Sequence, residues 1–212
     1  MALKEVRRHY IGEKRDSVKA QKSLQTSLEY RRDAFNVHAL RACFFRNVPF
    51  QNDQDKKTAV LYKRLIESDL RKQTMVVRGM DKQGRPVVLI SNRTSQATET
   101  GAALEEAVEA YVLARLYVLE RALAVAEVSS LGRTERVMAV IDFTNKTYPP
   151  VLAGVKRIAT IFPYSHTERL QRMVVINPPL WGRAMYNVVY PFLAKETRDK
   201  FIVVSGEVSI FP

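Results

Sequence analysis

Between residues 17 and 72 the apolar positions recur at helical spacing. Leu24 and Leu28 come first, then Phe35, Leu40 and Phe44, then Val60, Leu61, Leu65 and Ile66. The pattern predicts helices separated by the connector "NVPFQNDQD". It changes at Thr74. "TMVVRGMDKQGRPVVLIS" holds two short apolar runs around a glycine-containing turn, hence a strand pair. A long helix is expected from Gly101 to Val128, and then "VMAVIDF" as a buried strand. A helix from about Val151 to Ile161 follows, and a strand over Met173 to Ile176, β-branched and closed by Asn-Pro-Pro. The last elements are a helix from about Leu180 to Leu193 and a strand from Phe201 to Ser205. Strands alternating with helices predict an α/β fold, its sheet parallel at the centre and covered by helices. A helical region, residues 1–72, would pack beside a sheet-containing domain, residues 73–212.

Composition narrows this modestly. With 46% hydrophobic and 26% charged residues the chain resembles ordinary globular proteins. Glu105, Glu106, Glu109, Arg115, Glu120, Arg121 and Glu127 interrupt the long helix, so it is no membrane span. "MALKEVRRHY" has no apolar core of signal-peptide length, and the single cysteine fits a reducing, cytoplasmic setting. Charge says more. The formal net charge is +12, and residues 1–72 hold 17 Lys and Arg against 9 Asp and Glu. Such a protein favours polyanions, either nucleic acid or an anionic membrane.

The search for chemistry returns mainly absences. No Gly-rich phosphate loop, dinucleotide fingerprint or G-x-S-x-G elbow is present, which disfavours kinases and α/β hydrolases. His9, His38 and His166 lack metal-ligand spacing, so neither a metal nor a cofactor is expected. Cys43, flanked by Ala42 and Phe44, reads as buried and inert. Zinc-finger spacing and aromatic RNA-binding strands are also missing, so nucleic acid explains the charge and nothing else. What remains is Asp142, Glu168 and Lys200 at the ends of buried strands.

Several segments together resemble the CRAL-TRIO (Sec-fourteen-like) lipid-binding domain of the phosphatidylinositol transfer type. "DKQGRPVVL" is similar to its D-x-x-G-R-P-V strand and "VMAVIDFTN" to its central strand. "HTERLQRMVVINPPLWGRAMYNVVYPFLAKETRDKFIVVSG" is similar to its Y-P-E-R-L…I-I-N-A-P…P-F-L…K-I segment. Upstream, "GEKRDSVKAQKSLQTSLEYRR" resembles the R-K-F-D…L-E-W-R-R helix. The resemblance implies a mixed sheet flooring an apolar pocket, without charged groups, under a helical gate. The gate would be Leu180 to Leu193, with Trp181, Met185, Tyr186, Val189 and Phe192 meeting lipid and membrane.

The family's phosphatidylinositol site combines a Glu of the P-E-R element with a Thr and a Lys three residues later. Glu168, Thr197 and Lys200 match them. Lys14 matches the Lys of R-K-F-D, although Arg15 stands where that element has Phe. The polar positions that hold phosphatidylcholine in the family fall on Val77, Val88, Val137 and Ala139, which offer a headgroup no donor. The resemblance therefore implies a non-enzymatic carrier of phosphatidylinositol or a phosphoinositide, acting in the cytoplasm and peripherally on anionic membranes. Its second ligand would be something other than phosphatidylcholine. A carrier of a tocopherol- or retinoid-like molecule is the alternative. The family's segment beyond the last strand looks short or absent after "EVSIFP".

Overall fold

Three side chains start the N-terminal helices. In the computed structural model, Asp16 accepts from Lys19 N at 3.0 Å and opens α2, Ser17–Asp33. Asn36 accepts from Ala39 N for α3, Val37–Ala42, and Asn52 from Asp55 N for α4, Asp53–Leu70. Each side-chain oxygen pairs a backbone N–H left open by the first helical turn. The structure describes residues 2–34, 36–44, 49–91, 100–144, 152–193 and 195–206. Phe35, Val151 and the segment "EVSIFP" from Glu207 lie outside this set.

A first helix, α1 (Ala2–Gly12), is absent from the sequence reading. Leu3, Val6 and Tyr10 on it are exposed, so its apolar spacing reports no buried face. Ions hold it instead: Arg8 pairs with Glu135, Arg169 with Glu5 at 3.1 Å, and Lys4 donates to Gly132 O at 2.7 Å.

Five strands form one sheet in sequence order: β1 (Met75–Met80), β2 (Pro86–Ser91), β3 (Val137–Asp142), β4 (Leu170–Ile176) and β5 (Phe201–Val204). The first pair is antiparallel and the others are parallel. Gly84, at φ +72°, sits in the turn where Asp81 accepts from the amides of Gln83 and Arg85. The parallel pairs need crossovers, supplied by α5 (Gly101–Ser129), α6 (Leu152–Ser165) and the segment α7 (Leu180–Val189), a 3-10 turn Tyr190–Phe192 and α8 (Lys195–Arg198). Right-handed crossovers moving one way along a sheet stay on one face.

Two elements run longer than predicted, α6 to Ser165 and β4 from Leu170, and Pro191 makes a third shorter. The helix expected to reach Leu193 gives way to the 3-10 turn at Tyr190, because proline has no N–H for a continuing helix. α5 is the spine. Its residues 112–120 are buried throughout, as a helix enclosed on all sides requires. One core joins Val37, Leu40, Leu65 and Ile66 of the N-terminal helices to α5, Val88 and Val137.

Candidate functional site

Alternation along the strands places Val88 and Ile90, then Val137, Ala139 and Ile141, then Met173 and Val175, on one face. That face floors a cavity of about 1160 Å³ walled by α5, α6 and α7. The volume exceeds the roughly 300–1,000 Å³ of ordinary small-molecule pockets. Gly154 lets α6 close over α5, since a Cβ there would stand 2.7 Å from the Tyr111 ring. Val88, Val137 and Ala139, expected at the second-ligand pocket, line the cavity. Val77 pairs with Val88 across the sheet but packs against the core, apart from the described lining residues.

The mouth opens at the N-terminal ends of the parallel strands. Glu168 precedes β4, and Thr197 and Lys200 precede β5. All three border the cavity, together with Lys14 from the turn between α1 and α2. Lys200 Nζ donates to Glu168 Oε2 at 3.3 Å, and Lys14 pairs with Glu196 at 3.6 Å. A backbone N–H and, to a smaller extent, the charge of Lys14 hold the Glu196 carboxyl below the usual range. Glu168 and Lys14 both adopt the left-handed backbone, at φ +57° and +54°. Side chains with a Cβ take this conformation at a cost of about 1–2 kcal/mol, and such strain concentrates at functional sites. Asp142 is not part of this group. It ends β3 at the opposite end of the sheet, accepting from Thr144 N at 2.8 Å.

Sequence reasoning missed Arg136, whose Nη2 donates to the same Glu168 oxygen at 3.2 Å and whose Nη1 donates to Gln171 at 3.1 Å. It stands immediately before β3, as Lys200 stands before β5, so the strand-flank argument applied once more would have found it. The sequence also gave no sign of the brace behind Glu168. Arg31 of α2 donates to Glu120 of α5 at 2.8 Å and to Ser165 O at 2.9 Å. His166 bridges Glu120 at 3.0 Å and Ser165 Oγ at 2.7 Å. Burial holds the His166 pKa below its ordinary value, while Arg31 and the His166 hydrogen bond outweigh burial and keep Glu120 ionised. Serine, histidine and glutamate are the residue types of a hydrolytic triad. Here the hydroxyl is buried and lies 3.0 Å from the Ile161 carbonyl of its own helix, so it braces the α6–β4 junction.

A wholly uncharged cavity wall was expected, and the structure corrects this. Buried Arg115 borders the cavity, neutralised by Asp69 at 2.8 Å. The acid is 46 positions away in the chain, so no local pattern announces the pair. Of the gate residues, Tyr186 lines the cavity and packs tilted against Phe201, with ring centroids 5.4 Å apart and planes at 55°. Trp181 is half-buried, edge-on to Phe143 at 5.4 Å. The exposed apolar side chains of this segment are Leu180, Val188 and Tyr190. The side chains of Met185, Val189 and Phe192 lie outside the described set. Cys43 is half-buried, its thiol bonded to two carbonyls and pushed up to about 11 by burial.

An apolar cavity of lipid size with a polar mouth matches what family comparison returns. The sequence profile of the CRAL/TRIO domain matches residues 70–210. The chain belongs to the CRAL/TRIO domain family. This is a lipid-binding and lipid-transfer family. Phosphatidylinositol transfer protein PDR17 of Saccharomyces cerevisiae is 25% identical over 202 residues, 92% of this chain and 50% of its own length. Patellin-6 of Arabidopsis thaliana is 24% identical over 138 residues, 64% of this chain and 34% of its own. This CRAL/TRIO chain thus spans half or less of the curated relatives it matches. The crystal structure of Sfh5 superposes with a TM-score of 0.60 at 17% identity, covering 93% of this chain and 62% of that one, and so shares the fold. Among the described residues no helix is long and apolar enough to cross a membrane.

Proposed function

We propose that this CRAL/TRIO protein binds phosphatidylinositol, or a phosphoinositide, and carries it between membranes. One observation carries the reading: the Lys200–Glu168 pair and Thr197 stand at the mouth of an apolar cavity. Lys200 pairs with the lipid phosphate, Thr197 donates its hydroxyl to a phosphate oxygen, and Glu168 accepts from inositol hydroxyls while holding Lys200. Lys14 adds charge from the opposite lip. The acyl chains enter the cavity, each buried CH₂ contributing about 0.8 kcal/mol. The likeness to a protein named for phosphatidylinositol transfer, over 92% of this chain, supports the same headgroup. Residues 73–212 hold the acyl chains, and residues 1–72 buttress them and lend Lys14 to the mouth. The work is binding and exchange, with no bond made or broken.

Lys200→Ala and Glu168→Lys are each expected to lower phosphatidylinositol transfer between liposomes about tenfold or more, since a charge-assisted hydrogen bond contributes about 1.5–3 kcal/mol. Phosphatidylcholine transfer should be slow throughout, because Val88, Val137 and Ala139 give its headgroup no donor. Undiminished phosphatidylinositol transfer by both variants would refute the assignment.

Exchange requires docking, and the +12 charge directs the protein to anionic membranes at the cytoplasmic surface. Opening of α7 would draw Trp181 off Phe143. As the only tryptophan, it should shift its emission when anionic liposomes are added, and less so in high salt. An unchanged spectrum while the protein sediments with liposomes would remove α7 from the docking step.

A further inference from the structure

Helix α1 is built inside out. Glu5, Arg8, His9 and Gly12, spaced three and four residues apart, face the protein. Arg8 pairs with Glu135 and Arg169 with Glu5, and His9 Nδ1 lies 3.0 Å from Ser23 Oγ. A Cβ on Gly12 would meet Thr167 at 3.4 Å. The opposite positions, Leu3, Val6, Arg7, Tyr10 and Ile11, are all exposed, Leu3 at 82%. A helix that had only to pack would turn these faces round, because its apolar stripe belongs against the core.

The apolar face continues past the helix at both ends. Lys4 donates to Gly132 O at 2.7 Å, which sets the start of α1 beside the turn that closes α5. There Val128 and Leu131 are exposed, Leu131 at 86% and with a left-handed backbone, φ +51°, that disfavours any side chain with a Cβ. At its other end α1 reaches the mouth, where Gly12 and Lys14 border the cavity. The helix between them has 11 residues, roughly 16 Å at about 1.5 Å per residue. Charge selects what meets this ridge. Arg7, Lys14, Arg15 and Arg133 are exposed along it, and the exposed acids Glu127 and Glu196 offset them only in part. Glu5 and Glu135 are already taken up by Arg8, Arg169 and Lys4. Apolar side chains with cations among them suit an anionic bilayer, whose acyl boundary takes the first and whose phosphates take the second.

We propose that α1 and the turn after α5 form a docking ridge, which seats Leu3, Val6 and Leu131 in an anionic bilayer and holds the headgroup mouth against it. The ridge consists of residues outside α7. The inference rests on the mouth being where lipid enters. Binding of a soluble short-chain phosphatidylinositol tests that premise, and binding to vesicles tests the inference.

The experiment sediments the full chain with vesicles of phosphatidylcholine and phosphatidylserine. Leu3→Gln/Val6→Gln and Leu131→Gly should each weaken vesicle binding about tenfold, as the loss of a buried apolar side chain requires. Both replace exposed side chains, and Leu131→Gly also relieves its backbone, so neither should lower the melting temperature. Val60→Gln, exposed on α4, should sediment like the parent chain. Leu3→Trp in a Trp181→Phe background should be quenched by phosphatidylcholine brominated on its acyl chains. Short-chain phosphatidylinositol needs no docking and should bind every ridge variant as it binds the parent. Undiminished sedimentation of both ridge variants, an equal loss in Val60→Gln, or an unquenched Leu3→Trp on vesicles that carry the protein down would overturn the inference. So would a dimer in solution that Leu3→Gln/Val6→Gln disperses with vesicle binding unchanged, since the ridge would then join two copies of the chain. Failure of the parent chain to bind the short-chain lipid would instead overturn the phosphatidylinositol reading.

Discussion

The two ends of the cavity both carry an acid paired with a base, and they are built differently. At the deep end, beside Ser91 at the close of β2 whose N–H bonds the Thr74 carbonyl, Asp69 and Arg115 are each about 95% shielded from solvent, and Thr74 and the Tyr111 carbonyl complete their bonds. At the mouth, Lys200 and Arg136 are 20% and 39% exposed and converge on one oxygen of Glu168. The deep pair is committed to its place. The mouth pair keeps water access and acceptor capacity, which a site that must admit and release a charged headgroup needs. A charge fixed by burial stores its energy in the fold, whereas one left near water can exchange partners at little cost.

The largest break in this comparison should come from Arg115→Leu. It strands the buried Asp69 carboxylate, and urea denaturation should show a loss of about 3–5 kcal/mol. A loss under 1 kcal/mol would mean that the deep end is not sealed. Acid should act next, on the brace between the two ends. Burial depresses His166 and His9, so the unfolded chain binds protons that the folded chain refuses. Stability contributed by these groups is full above about pH 6.5 and falls as pH drops from there toward their folded values, by up to about 1.4 kcal/mol per pH unit for each histidine. Melting curves between pH 7.5 and 5.5 should show this fall, and His166→Gln should flatten it. The smallest effect on stability is expected for Glu168→Gly. It loses part-exposed ion pairs but relieves the left-handed backbone, so the net change should stay within about 1 kcal/mol. Phosphatidylinositol transfer should nevertheless collapse, a dissociation of stability from binding that Arg115→Leu should not show.

Legibility in the sequence followed the same divide between local and distant causes. The strands were readable because "VMAVIDF" and "RMVVIN" are short β-branched runs, and they recur as β3 and β4. The sequence order of the sheet follows from single helical crossovers. Glu168 and Lys200 were found through a motif, and their flanking positions bring them within 3.3 Å. Arg115 was read only as a charge interrupting a membrane span, because its meaning depends on Asp69 in another helix. Helix α1 was invisible for a related reason. Ion pairs to Glu135 and Arg169 and a hydrogen bond from Lys4 to the Gly132 carbonyl hold it, and these leave no periodic apolar trace.

The sequential strand order also bears on how the chain folds. Pairing β2 with β3 brings Ser91 beside Asp142 only after everything between them has been gathered in. Loop closure costs entropy that grows with the logarithm of the freely moving length, and parallel pairing repays it late. Helix α5 occupies 29 residues of that interval, so a chain in which it has already formed closes a shorter effective loop. Helix-breaking changes on the exposed side of α5, such as Ala103→Gly, should therefore slow refolding measurably while leaving the cavity wall untouched.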